Sequence, residues 1–305
     1  MANNLGRRIR HAFLAIAESP APDQCALVFA SACQRLRALL NVTEFLTILY
    51  YGHQTACVDL DERTLDWWLA QRDRPGCVDA YEALQAMRAH KIKRVPVYSS
   101  ASSGGDILFL LTYVRLLNIV HRQWRKLRGL RVKMKLTVDA RIQLGRWSDQ
   151  LVTTHMGATL EEAVGLMLAN DISSLPVCEA PGTGPLTVLR KRDVLLFTRL
   201  YTQSREQELT GSTTPYSGCC HKVLHQTVQE AVETVRLFHP TTPGPAETAL
   251  VPIHPSEALS VGDVVDRLVD GRHRCLYLVE EDGSTGRWQL RASLSISDVV
   301  DFLVP

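Results

Sequence analysis

The run LEEAVGLMLANDISSLPVCEAPGTGPLTVLRKRDVLLFTRL, from Leu160 to Leu200, decides the fold. Leu160–Ala169 carries apolar residues at helical spacing. Leu175–Cys178 is a short apolar strand, Ala180–Pro185 a Gly/Pro turn and Thr187–Leu189 a second strand. Asp193–Leu200 is again helical. The unit is therefore helix, strand, turn, strand, helix.

Working outward, the same order recurs on both sides. Towards the C-terminus come helix Gly262–Val269, strand Cys275–Val279, turn Glu281–Gly286, strand Trp288–Ser293 and helix Ser297–Val304. Towards the N-terminus come helix Tyr81–His90, strand Val95–Tyr98, turn Ser99–Gly105, strand Ile107–Leu111 and helix Val114–His121. A shorter copy opens the chain, with helix Ala12–Ala17, strands Ala26–Ala30 and Arg37–Leu40, and helix Thr43–Tyr50. This first copy is expected to lack an opening strand. A unit of this size cannot bury both faces of its small sheet alone, so the four units should pack in pairs.

The joints are legible too. His121–Lys135 (HRQWRKLRGLRVKMK) is strongly basic, and its Leu127, Leu130, Val132 and Met134 suggest that part of it packs. Gln203–Gly218 is rich in Ser, Thr and Gly, and His239–Ala246 is Pro-rich.

Composition narrows the class. Of 305 residues, 46% are hydrophobic and 22% charged, as in soluble globular proteins. A formal charge of +2 gives no concentrated basic field and argues against a nucleic-acid partner. No apolar run reaches the roughly 18 residues of a membrane span. Arg7–Ala17 reads as an amphipathic helix rather than a secretory leader, because Glu18 and Asp23 interrupt its apolar stretch. The eight cysteines are scattered without disulfide-scaffold spacing, which points to a reducing compartment, cytoplasm or nucleus.

Two recurring features carry chemistry. Three of the four closing helices have an acidic residue in the first turn: Glu44, Asp193 and Asp298. Arg115 holds that place in the second. Such an acid caps its helix, for about 0.3–1 kcal/mol. Its carboxylate can also accept both hydrogen bonds of a ribose cis-diol. Basic pairs precede strands, Lys93-Arg94 before Val95 and His273-Arg274 before Cys275. They complement a helix dipole or clamp phosphate. Acids and bases recurring at fixed places in a repeated unit favour the ligand-binding alternative in each case.

These residues carry a family resemblance. Lys91–Val97 with Leu110–Thr112 and Arg115–Leu117 resembles the second cystathionine-β-synthase (CBS) repeat of the gamma subunit of AMP-activated protein kinase. Ile172–Val177 with Lys191–Val194 is similar to its third repeat. Arg267–Val269, His273-Arg274 and Ser295–Asp298 resemble its fourth. Ala12–Ala15 with Val42–Phe45 resembles the later part of its first. The resemblance implies an α/β fold of four CBS repeats, arranged as two Bateman pairs in a disc-like, pseudo-symmetric assembly. The segments would be a partial first repeat (1–52), a second (53–124), a basic linker (125–145), a third (146–202), a linker with a helix (203–246) and a fourth (247–305).

The resemblance further implies AMP, ADP or ATP bound between repeats. Glu44, Asp193 and Asp298 would hold ribose, and Thr43 lies beside the first of them. Lys93, Arg94, Lys191, His273 and Arg274 would meet phosphates, with Arg236 of the Val228–Phe238 helix as a further phosphate-type residue. Ser173, Ser174, Ser295 and Ser297 would supply hydroxyl or backbone bonds. Arg115 would mark a site that stays empty. The implied partners are kinase catalytic (alpha) and scaffold (beta) subunits, with no nucleic acid and no membrane span, and the implied role is non-enzymatic. The chain departs from the family in having no Arg near Pro22, Val114 where the family has Lys, Lys93 where it has His, and Glu44 where it has Asp. Two other roles stand beside this one: a CBS scaffold that has lost nucleotide binding, and an adenosine-ligand module regulating another enzyme.

Three remaining signals point less far. Cys219-Cys220-His221 with His225 lacks a second Cys/His cluster for zinc, so no metal site is expected. Trp67-Trp68 is read as packing a linker on the core, with a partner-binding anchor as the alternative. The basic stretch is read as a solvated linker or a docking face for an acidic partner. No nucleophile elbow, P-loop or H-E-x-x-H motif is present.

Overall fold

A computed structural model describes residues 2–4, 16, 25–29, 36–54, 80–90, 92–98, 107–126, 128–139, 142, 144–147, 151–181, 183–208, 222–238, 250–252, 258–271, 273–283 and 286–304. Four small sheets correspond to the four repeats. In each, two antiparallel strands precede a closing helix: Cys25–Phe29 and Leu36–Asn41 before Val42–Gln54, Arg94–Tyr98 and Ile107–Thr112 before Tyr113–Gln123, Ser174–Cys178 and Pro185–Arg190 before Lys191–Glu208, and Cys275–Asp282 and Arg287–Ser295 before Ile296–Leu303.

The repeat is conserved to the register. Each leading strand has a register irregularity between its fourth and fifth residues, at Val28/Phe29, Val97/Tyr98, Val177/Cys178 and Leu278/Val279. Such an irregularity locally bends a strand and increases its twist. Among the described residues, three repeats have a short strand parallel to the leading strand: Ala2–Asn4, Thr154–His155 and Leu250–Pro252. The first of these corrects the expectation that the first repeat has no opening strand. Three residues containing two polar asparagines carry too little pattern to be seen as a strand. Of Ala12–Ala17, Ile16 alone is described, helical and buried.

Helix spans largely agree with the periodicity. Leu160–Ala169 and Val228–Phe238 coincide with it, and both begin on a capping Thr: Thr159 with Glu162, and Thr227 with Glu230. The last turn is shorter than expected, because the Cys275 strand runs on to Asp282 and its partner begins at Arg287.

The chain divides into two compact units, one drawn from Met1–Arg72 and Val152–Pro245, the other from Asp73–Leu151 and Ala246–Pro305. The first unit thus holds the first and third repeats. Its Val42–Gln54 helix packs on Leu160–Ala169 and Lys191–Glu208. Leu46, Leu49, Val164, Met167, Val194 and Phe197 are buried in their shared core. Gly165 permits this approach, since a Cβ there would lie 2.7 Å from Tyr50 Oη.

The second unit holds the second and fourth repeats, with Tyr113–Gln123 against Ile296–Leu303 and Val261–Asp270. Leu117, Val120, Val264, Leu268, Val299 and Val300 fill its core. At about 1.5–3 kcal/mol per buried aliphatic side chain, sharing one core between two repeats is what holds each pair. Arg146–Trp147 adds an edge strand to the fourth repeat's sheet, pairing with Arg287–Ser295.

The basic stretch is more ordered than a linker. Trp124–Lys126 forms a 3-10 turn and Arg128–Met134 an α-helix. Met134 is buried and Leu130 half-buried against the second core, whereas Val132 faces outward. Leu127, Trp67-Trp68, the Cys219–His221 run and His239–Ala246 lie outside the described residues.

Candidate functional site

Strand register fixes what lies opposite each helix start. Cys25 pairs with Asn41, Arg94 with Thr112, Ser174 with Arg190 and Cys275 with Ser295. The second member of every pair is the residue immediately before a closing helix. Residues at the start of the leading strand therefore stand beside residues of the helix's first turn. Lys93-Arg94 comes to Thr112–Arg115, Ser173-Ser174 to Arg190–Asp193, and His273-Arg274 to Ser295–Asp298. Two backbone bonds lock the arrangement: Lys191 N–H donates to Ser173 O and Ile296 N–H to Arg274 O, both at 3.0 Å. The expected phosphate-type and ribose-type residues of one repeat thus converge at the positive end of a helix, where backbone N–H groups favour anions.

The four helix starts differ in detail. In the fourth repeat Ser295 and Asp298 form a full capping box. Asp298 Oδ2 accepts from Ser295 N at 2.9 Å and from Ser295 Oγ at 2.7 Å, and Asp298 N donates to Ser295 Oγ at 3.2 Å. Ser297 Oγ lies 2.8 Å from Ser295 Oγ. The carboxylate does the work of a cap, whatever else it binds. In the third repeat Asp193 Oδ2 accepts from Arg190 N at 2.9 Å, and an arginine replaces the capping hydroxyl. Asp193 is buried, and desolvation raises its carboxyl pKa above the usual Asp value against the opposing charges of Arg190 and Arg192. In the first repeat Asn41 Oδ1 accepts from Glu44 N at 3.2 Å, and in the second Thr112 Oγ1 accepts from Arg115 N at 3.2 Å.

One contact joins two of these starts. Lys191 Nζ donates to Thr43 Oγ1 at 3.4 Å, linking the third repeat's helix to the first's. Lys191 is 4% exposed, and the acids within two residues of the contact, Glu44 and Asp193, are 5% and 7% exposed. Three ionisable side chains this deeply covered carry a solvation cost that a structural surface would avoid. Ser174 is buried as well.

The other candidates sort by exposure. His273 is buried and leans on the open face of Gly271, where a Cβ would stand 2.6 Å from His273 Nε2. Arg274, Lys93 and Arg115 are exposed, and Arg94 is half-buried. Arg236 Nη2 donates to Thr187 Oγ1 at 3.3 Å, on the strand that leads into Lys191. The helix-start residues Asn41 and Arg190 and the spacer Gly271 were not singled out by sequence. The N-x-x-E spacing at Asn41–Glu44 was the available signal for the first. Among the described residues no group of His, Cys, Asp and Glu is placed to hold a metal ion, and no helix is long and apolar enough to cross a membrane.

Comparison with known proteins gives this geometry its context. Residues 148–197 match the family described as CBS domain. A Methanocaldococcus jannaschii protein, described as a candidate archaeal homolog of γ-AMPK, has a similar structure over 100% of this chain and 96% of its own, with TM-score 0.69 and 10% identity. An uncharacterized conserved protein from Pyrococcus horikoshii is similar over 93% of each chain, with TM-score 0.46 and 16% identity. CBSX2 in complex with AMP covers 52% of this chain and 92% of its own, with TM-score 0.33 and 16% identity. No curated protein sequence matches. The chain carries a CBS domain at residues 148–197, within a mixed α/β fold of tandem CBS repeats.

Proposed function

We propose that this chain is a non-catalytic regulatory subunit of a heterotrimeric Ser/Thr kinase of the AMP-activated type. AMP, ADP or ATP binds at its helix starts, and the kinase catalytic (alpha) and scaffold (beta) subunits are its partners. The observation that supports this most is the strand register, which sets Ser174 against Arg190 and Cys275 against Ser295. It brings a ribose-type acid and phosphate-type bases of the same repeat to one helix N-terminus. In this reading Asp298 and Asp193 accept the ribose hydroxyls. His273, Arg274 and Lys191 meet the phosphates, with Ser173, Ser174, Ser295 and Ser297 bonding nearby and Thr43 and Glu44 completing the contact at Lys191. Lys93, Arg94 and Arg236 are further phosphate contacts, and Arg115 excludes nucleotide from the second repeat's helix start. The fold-level likeness to the archaeal protein agrees with the reading.

Signalling then follows from linkage. A nucleotide biases the kinase only by its differential affinity for two states of the complex. Micromolar binding corresponds to about −8 kcal/mol, of which the 1–3 kcal/mol typical of allosteric coupling is a fraction. Co-expression with kinase catalytic and scaffold subunits, followed by nucleotide titration of the purified complex, tests the proposal. Association together with different affinities for AMP and ATP supports it. Equal affinities, or no association, overturn the sensing role.

A second reading has its own observation. The capping box at Ser295–Asp298 gives the acid a purely structural use. A scaffold that has lost its ligand would keep that box and bind no nucleotide.

A further inference from the structure

The stretch from Ile107 to Val138 contains no acidic residue. From Arg122 onward, Arg122, Arg125, Lys126, Arg128, Arg131 and Lys135 are all exposed, and none has a carboxylate partner among the described residues. A flexible basic linker would look the same in sequence, but this one is fastened down. Lys133 Nζ donates to Phe302 O at 2.7 Å and Leu303 O at 3.3 Å, at the carboxyl end of the Ile296–Leu303 helix. Val138 N–H donates to Leu259 O at 2.8 Å, and Val261 N–H to Leu136 O at 2.9 Å. Met134 is buried beneath it, and His121 Nε2 pairs with Asp266 at 3.0 Å.

What is left facing outward has a pattern. Arg128, Arg131, Val132 and Lys135 recur at i, i+3, i+4 and i+7 along the Arg128–Met134 helix and the turn that follows it. Ile119, Arg122 and Lys126 recur at similar intervals along the preceding segment. Aliphatic side chains are interleaved with the cations: Ile119 is 56% exposed, Val132 61% and Leu136 38%. Among the described residues seven large apolar side chains are exposed, and the stretch from Ile119 to Leu136 holds three of them.

We propose that residues 119–126 and 128–136 form a preformed docking surface for an acidic, amphipathic protein segment, one that alternates carboxylates with aliphatic side chains. Arginine's planar fork suits paired carboxylates, and the ordered backbone removes an ordering cost on binding. The chemistry favours protein over the other polyanions. A membrane-seated face would present Trp, Phe or Leu in quantity. Single-stranded nucleic acid would use exposed aromatic platforms. Here the aromatic residue of the segment, Trp124, is half-buried with the Arg125 guanidinium 5.5 Å from its ring centroid.

The test is fluorescence anisotropy of the full chain with a labelled peptide of repeating Glu-Glu-Leu-Leu. The same measurement is made on Arg128→Gln/Arg131→Gln/Lys135→Gln and on Val132→Ser, each checked for folding by circular dichroism. The expected result is saturable binding, weakened about tenfold or more in the triple variant and about threefold in Val132→Ser. It should also weaken as salt rises from about 50 to 500 mM, since exposed charges are screened. If the triple variant does not fold, Val132→Ser and the salt dependence decide. No binding overturns the proposal, as does binding that both variants keep. Tighter binding to phosphatidylserine vesicles or to a single-stranded RNA of repeated uridines overturns it in favour of that polyanion.

Discussion

Lys191 Nζ stands 3.4 Å from Thr43 Oγ1, so a buried cation of the third repeat is held on the first turn of the first repeat's closing helix. Removing one member of a buried charged cluster leaves the remaining charges uncompensated and is destabilising. Lys191→Met is therefore expected to lower thermal stability and to weaken AMP binding about tenfold or more. Calorimetric titration beside a thermal melt reads both. Unchanged affinity in the substituted protein assigns Lys191 a packing role.

The two roles of Asp298 separate by substituting its partner. Ser295→Ala removes the hydroxyl that accepts from Asp298 N and donates to its carboxylate, but leaves the carboxylate in place. Loss of such a cap costs about 0.5–2 kcal/mol. Ser295→Ala should lose that stability in urea denaturation and, as one of the bonds near the nucleotide, weaken AMP binding about threefold, less than loss of the carboxylate does. Asp298→Asn should lose both. Equal affinity in Asp298→Asn and the parent chain would show that the carboxylate serves only the helix.

Gly271 is required by the ring beside it. A Cβ there would lie 2.6 Å from His273 Nε2, closer than side-chain atoms approach. Gly271→Ala must displace the imidazole and also meets the Arg267 carbonyl oxygen at 2.7 Å, and overpacking of this kind costs about 1–3 kcal/mol. The expected outcome is lower stability by chemical denaturation together with weaker nucleotide binding. A variant that binds like the parent would take His273 out of the site.

Asp193 gives a signed pH dependence. Burial raises its carboxyl pKa above the value in the unfolded chain, so the native state binds the extra proton. Its contribution to stability is full below about pH 4, the unfolded value, and is lost as pH rises through the folded one. Asp193→Asn removes that loss, so its stability relative to the parent should increase from pH 4 towards neutrality. Ribose binding needs the ionised form and should fail on acidification at a higher pH than an ordinary carboxylate would cause. Urea denaturation of both proteins across the acid range measures the first effect. Parallel stability curves contradict it.

The repeat was readable because its helices bury one face and its strands alternate with Gly- and Pro-rich turns. Leu160–Ala169, with Thr159 before it and Met167 inside, is the plainest case. The acids and bases were visible as residue types at repeated places. The register that joins them was not, because pairing Ser174 with Arg190 is decided by cross-strand hydrogen bonds that leave no periodicity. The same holds for Ala2–Asn4, whose pairing with Cys25–Phe29 makes it a strand. The grouping of first with third repeat and second with fourth was hidden for another reason. It is set by helix faces such as Leu46 and Leu49, which would bury equally well against any apolar partner.

The central claim is that the helix starts of the third and fourth repeats bind adenine nucleotide through Asp193 and Asp298. Its most direct test is calorimetric titration of the purified chain with AMP, ADP and ATP, beside the Asp193→Ala/Asp298→Ala double variant. The account predicts micromolar AMP binding that the double variant loses while remaining folded by circular dichroism. No binding of any nucleotide to the folded parent chain, or undiminished binding to the folded double variant, would contradict it.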